Sequence, residues 1–223
     1  MGNIIQFNGG DRDYRGYLAE AANPGIGTII VQEWWGLVPH IREVCDRFAA
    51  EGITALAPDL YFGEETTEPT RAGELMMQIN IAETAEVFKH AVSRLLESPK
   101  VAGPKVGVVG FCMGGQLAMY AACQDARIGA CVNFYGIHPN VQPALRNLAG
   151  PMLGIFAEDD PGTNQDLVKA LDEELTLLEK PHAFHTYPGT QHAFFNDHRP
   201  EVYREEAAMD AFAKVLAFLR GNL

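Results

Sequence analysis

Four side chains able to do chemistry stand at the ends of apolar runs in this sequence. The first is Cys112, in VGVVGFCMGGQ (106–116). The pattern G-x-C-x-G is the strand–turn–helix turn that presents a hydrolase serine, with a thiol in place of the hydroxyl. Gly110 and Gly114 permit a tight turn and a close approach of helix to strand. A helix start there favours a thiolate and leaves the Met113 N–H to bind an oxyanion. Such a nucleophile needs a base and a carboxylate to orient it, in the chain order nucleophile, acid, histidine. The segment MLGIFAEDDPG (152–162) ends an apolar run with Asp159 and Asp160, and FHTYPGTQHAFFND (184–197) carries His192. His40, His90, His138, His182, His185 and His198 read as surface, helix or packed strand residues. His192 alone lies in a Gly-containing loop after the last run. The fourth group is Glu33, in VQEWWGL (31–37). Its burial would be costly unless it were hydrogen-bonded or beside a titrating partner. From position alone it could equally reach solvent.

These groups can act together only if the chain folds their run ends to one place. Residues 4–7 and 14–19 read as a hairpin joined by NGGDRD. Apolar runs at 27–32, 53–57, 105–109, 128–135, 152–156 and 183–187 read as further strands, several of them buried on both faces. Helical spacing covers 39–51, a long segment ending near Leu96 after a polar acidic loop at 63–74, then 113–123, 165–178 and 200–219. Alternating strands and helices predict one α/β domain over 1–223, with a mostly parallel sheet of seven or eight strands and helices on both faces. Sites in such sheets form at the carboxyl ends of the strands, where Glu33, Cys112, Asp160 and His192 all fall.

The formal net charge of −12 argues against a nucleic-acid partner, whose phosphates need basic patches. The same charge argues against an anionic membrane surface. The start MGNIIQFNGGDRD lacks a basic region followed by an apolar one, and no apolar run reaches spanning length. Cys45, Cys112, Cys123 and Cys131 show no C-x-x-C spacing, which suits a reducing, cytoplasmic setting. Cys45, Cys123 and Cys131 read as inert core thiols. The H-x-x-H of His182 and His185 is not a helical i,i+4 pair, so no metal and no cofactor are expected.

The stretches QEWWGL (32–37), EGITALAPDLYFGE (51–64), KVGVVGFCMGGQLA (105–118), FAEDDPG (156–162) and YPGTQHAFFND (187–197) together resemble the dienelactone hydrolase family of the α/β-hydrolase superfamily. The resemblance implies the α/β-hydrolase fold and a triad of Cys112, His192 and Asp160, the aspartate being the one directly before Pro161. It implies that Glu33 pairs with the resting thiol until substrate displaces it, and that the Trp34 N–H joins that of Met113 in an oxyanion hole. One departure matters: family members that grip a substrate carboxylate carry an Arg four residues after the histidine, where this chain has Asn196. Arg71 and Arg199 are the possible substitutes. Neutral esters or lactones are therefore the expected substrates, with phosphotriesters as alternative electrophiles. Trp35, Phe62, Met76, Met77, His138, Phe194 and Asn196 are candidate pocket residues. A monomer or homodimer is expected. The rival from another class is a redox or ligand-sensing module in which Cys112 is oxidised.

Overall fold

Apolar runs without polar alternation belong in the middle of a sheet, covered on both faces. The computed structural model, which describes residues 1–136 and 138–223, puts them there. Strands β3 (Gly27–Val31), β4 (Thr54–Pro58), β5 (Val106–Phe111), β6 (Ile128–Phe134) and β7 (Met152–Ala157) are buried at every position. With β1 (Asn3–Asn8), β2 (Asp13–Ala19) and β8 (His182–Tyr187) they form an eight-stranded sheet in the order β1-β2-β4-β3-β5-β6-β7-β8. β1 and β2 make the expected hairpin, and β2 runs antiparallel to β4. The remaining pairs are all parallel. Val109 lies opposite Ile30 on one side and Val132 on the other, so β3, β5 and β6 end at one level.

The side-chain period of two sends neighbouring strand residues to opposite faces. Ile29, Leu56 and Val108 pack with α3 (Ile81–Leu96) and α4 (Met113–Gln124) through Phe88, Val92 and Leu117. Ile30, Ala55 and Val109 pack with α1 (Pro39–Ala50) and α6 (Glu205–Asn222) through Val44, Phe48 and Val215. Both faces are thus closed, and reactive groups are left to the strand ends.

Two stretches differ from expectation. The acidic loop is shorter than its composition implies, because α2 (Pro69–Gln78) begins inside it. Pro69 occupies the first helical turn, where its missing N–H costs nothing. The chain then breaks at Ile79, and Asn80 caps α3 by accepting the Glu83 N–H at 3.1 Å. The last helix starts at Glu205 rather than at residue 200. Before it, the Arg204 N–H donates to the Phe194 carbonyl (3.0 Å), tying this segment back to the loop of His192. The remaining helix, α5 (Gln165–Leu177), starts where it was expected to.

Candidate active site

β5 ends at Phe111 and α4 begins at Met113, so Cys112 alone makes the turn between them. Its backbone sits at φ 55°, ψ −126°, a conformation an L-residue rarely adopts. Strain of this kind costs about 1–3 kcal/mol and persists only where surrounding structure imposes it. Here the Cys112 N–H donates to Phe134 O (3.0 Å), and the Cys112 carbonyl accepts from the Gly115 N–H (2.9 Å). The flanking glycines are needed for space. A Cβ on Gly110 would lie 1.9 Å from Gly114 O, and one on Gly114 would lie 2.4 Å from Gln32 O. Cys112 is partly exposed, whereas Cys45, Cys123 and Cys131 are buried. Burial pushes the Cys45 and Cys131 thiols up, and Cys123 to about 11. These three are thiols at neutral pH and poor nucleophiles.

The loops after β7 and β8 bring acid and histidine to the turn. They are joined through the backbone first: the Glu158 N–H donates to Tyr187 O (3.1 Å) and the Asp159 N–H to Thr190 O (2.9 Å). Asp160 is buried, its Oδ1 accepting from the N–H groups of Gly162 (2.8 Å) and Thr163 (3.1 Å). Its Oδ2 meets His192 Nδ1 at 2.7 Å. Asp159 thus supplies a backbone donor and Asp160 the carboxylate. Burial raises the Asp160 pKa, but the hydrogen bonds from His192, Thr163 and Gly162 outweigh it and hold the carboxyl below its ordinary value. Burial lowers the His192 pKa, yet the hydrogen bonds to Asp160 and to the Cys112 thiol raise it to about 10. The imidazole is therefore held by the carboxylate and favoured in its protonated form.

Glu33 is 1% exposed, so its carboxylate does not reach solvent. Its Oε2 accepts from Asn196 Nδ2 at 2.7 Å. Asn196 is fixed in turn, because its Oδ1 accepts the His198 N–H at 3.0 Å. The hydrogen-bond partner of Glu33 is thus an amide rather than the thiol.

Tyr135 was not singled out by its sequence position, yet it sits in the middle of the group. It follows β6 with φ 40°, its N–H donating to Ile155 O (2.8 Å) and its carbonyl accepting from Thr163 Oγ1 (3.0 Å). Its ring lies 4.9 Å from that of His192. The phenol is buried with no partner among the described residues, and burial together with Glu33, Cys112 and Asp160 raises its pKa far above normal. A polar aromatic before a Gly at the end of a buried strand, FYG at 134–136, is the signal that could have found it.

The N–H groups of Trp34 and Met113 have no backbone acceptor among the described residues. Two clefts open on this end of the sheet. One, of about 720 Å³, is lined by Trp35, His40, Asn196, His198 and Arg199 among others. The second, of about 510 Å³, is lined by Gln116, His138, Thr163 and Leu171 among others. Cys112 lines neither of these. Met76 is half-buried, and its carbonyl is bonded to His138 Nε2 at 3.2 Å.

Neither cleft is lined by Phe194 or Phe62. Phe194 is completely buried, packed between the rings of Tyr135 (5.7 Å) and Tyr187 (5.2 Å). Phe62 is half exposed, with the Arg12 guanidinium 4.5 Å from its ring. Met77 is likewise half exposed. Apolar type alone does not separate wall from core. Neither arginine is idle: Arg71 bridges Glu64 (2.6 Å) and Glu74 (2.8 Å), and Arg199 pairs with Glu201 (2.9 Å). No helix among the described residues is long and apolar enough to cross a membrane.

Residues 14–223 match the model of the dienelactone hydrolase family. "Protein usf" of Aquifex pyrophilus is 36% identical, with all of both chains covered. A "Putative carboxymethylenebutenolidase" of Aquifex aeolicus is 32% identical, again over the whole of both. Among solved structures, the "Putative Dienelactone Hydrolase" from Klebsiella pneumoniae subsp. pneumoniae is 27% identical. It superposes with a TM-score of 0.89 over 99% of this chain and 98% of that one.

Proposed function

The chain belongs to the dienelactone hydrolase family of ester and lactone hydrolases, and on that premise we propose that it cleaves neutral esters or lactones through a Cys112 nucleophile. The observation that carries this reading is the His192 imidazole, held by Asp160 at 2.7 Å, with its pKa raised by that carboxylate and by the Cys112 thiol on its strained turn. Cys112 gives its thiol proton to His192 and its Sγ attacks the carbonyl carbon, forming the C–S bond while the C=O π pair moves onto the oxygen as negative charge. The N–H groups of Trp34 and Met113 receive that charge, and the positive end of α4 adds to it. As the intermediate collapses, the C–O bond breaks and the alkoxide takes the proton held on His192. In a lactone this leaving group stays tethered. Water then gives a proton to His192, attacks the thioester carbon and releases the thiolate.

Glu33 is read as the auxiliary group. Its charge opposes a bare thiolate at rest and is relieved once substrate takes up the sulfur's electrons. Asn196 offers it a neutral donor, and the nearby arginines are spent on Glu64, Glu74 and Glu201. That leaves neither Arg71 nor Arg199 free for a substrate carboxylate, which is what favours neutral substrates.

The test is the initial rate on a neutral aryl ester, an anionic dienelactone and a phosphotriester, with wild type and Cys112→Ala. Wild type is expected to favour the neutral ester, and the variant to lose at least about a thousandfold in kcat/KM. A variant near the wild-type rate would sink the nucleophile. A preference for the anionic lactone would sink the reading of Asn196.

A further inference from the structure

A second histidine–carboxylate group lies outside the triad. One donor atom each from His40, Asp197 and His198 falls within 4.8 Å of the others, and this is the single such cluster among the described residues. The scatter of His138, His182, His185 and His198 that the sequence offers does not gather. His138 bonds to Met76 O and His182 to Asp172 (3.1 Å), and only His198 joins a cluster.

We propose that His40, Asp197 and His198 form a binding site for a divalent transition-metal ion of the zinc type, reached from the 720 Å³ cleft. His40 and His198 both line that cleft. Two imidazoles and one carboxylate are the donor set such ions take, with a fourth position left for water. His40 is 1% exposed and fixed by packing against the rings of Phe111 and Phe195. Its Nδ1 stands 3.0 Å from Asp197 Oδ1, while its Nε2 is buried with no partner among the described residues.

That orphaned nitrogen is the telling feature. With the proton on Nδ1, the pair with Asp197 leaves a bare Nε2 lone pair in an aromatic shell. With an ion on Nδ1 the proton moves to Nε2, where an N–H among aromatic rings is better tolerated. The outer groups fit the same assignment. Arg47 Nη1 lies 3.7 Å from Asp197 Oδ2 and orients the carboxylate, leaving Oδ1 toward His40. Glu43 Oε2 lies 2.9 Å from His198 Nε2, which leaves Nδ1 of that ring for the ion. A carboxylate behind a ligating histidine is the usual second layer of a zinc site.

Tetrahedral coordination needs ligand atoms roughly 3.3 Å apart, given bonds near 2.0 Å. The buried His40 cannot move to meet that, but Asp197 and His198 are 36% and 41% exposed and can close on it. Closure also reaches the triad's neighbour: the His198 N–H binds Asn196 Oδ1, and Asn196 holds Glu33. An ion here would stiffen the residue that positions Glu33.

The test is a titration of metal-free protein with Co2+, followed by its visible d–d absorption and by displacement with Zn2+. It is run in Cys112→Ser, so that a signal from the triad thiol is removed. One saturable equivalent is expected in that background, weakened at least tenfold by adding His198→Ala. Melting in the absence of metal checks that the double variant folds. No saturable band in Cys112→Ser, or the same affinity after His198→Ala, overturns the proposal.

Discussion

Two of the three histidine–aspartate pairs among the described residues are built inside out with respect to each other. In the pair of His192 and Asp160 the carboxylate side chain is fully buried and the imidazole is 26% exposed. In the pair of His40 and Asp197 the imidazole is buried at 1% and the carboxylate is 36% exposed. The first arrangement sinks the charge among the N–H groups of Gly162 and Thr163 and turns the free end of the ring toward a thiol. The second seals the free end of the ring among Phe111 and Phe195 and turns the charge toward solvent. Two identical residue pairs therefore differ in what they can pass on. On the proposed mechanism the His192 pair moves a proton, whereas the His40 pair offers only its carboxylate side to a partner.

Breaking each pair in the same way should expose that difference most sharply. Asp160→Asn is expected to lower kcat on ester substrates by about 10³–10⁴-fold, because the amide cannot stabilise a protonated His192. Asp197→Asn should change kcat by less than about threefold, since nothing in that pair faces the thiol. Parallel steady-state kinetics decide it, and equal losses would abolish the contrast.

A smaller effect should appear in the titration of His192 itself. Its pKa is raised to about 10 by Asp160 and by the Cys112 thiol. Removing the thiol in Cys112→Ala should drop it by about one unit or more, read from the imidazole resonance by NMR. A value unmoved by that change would assign the whole elevation to Asp160.

The smallest effect is in stability against pH. His192 has a raised pKa, so its contribution is complete below about pH 6.5 and is lost as pH climbs through about 10. Asp160 is lowered, so its contribution is present above about pH 4 and is lost as pH falls through its depressed value. Asp197, lowered to about 2, has the acid limb alone, and solvent screening keeps it near or below ~1 kcal/mol. Urea midpoints across pH should therefore show Asp160→Asn weakening both limbs, and Asp197→Asn only the acid one. An alkaline loss in Asp197→Asn would contradict the assignment.

What the sequence disclosed and what it hid follow from the range of the interactions involved. Strands such as VGVVGF and IGACVNF are legible because burial on both faces leaves an unbroken apolar run. Cys112 and Asp160 are legible because each stands just past such a run, and His192 because it follows the last strand; a parallel sheet brings those ends together. The bond between Asn196 and Glu33 joins residues 163 apart, and neither residue carries a local mark of the other. Tyr135 is hidden because a strand-end aromatic has the composition of core. Pro69 is ambiguous because the same ring that stops a helix from within also starts one. His40 reads as an ordinary helix residue until the chain brings residues 197 and 198 beside it.

The backbone bonds between the acid loop and the histidine loop carry a consequence for descent and for engineering. Glu158 and Asp159 donate to Tyr187 and Thr190, and Glu158 Oε2 accepts the Gly189 N–H at 2.9 Å. Segments 158–163 and 187–192 are therefore a single inheritable cassette, although α5 and β8 separate them in the gene. A chimaera between relatives that crosses over inside α5 would mate one parent's acid loop with the other's histidine loop, and their register would be set by neither. Crossovers placed before residue 152 or after residue 204 would move the pair intact, which makes those boundaries the natural joints of this half of the enzyme.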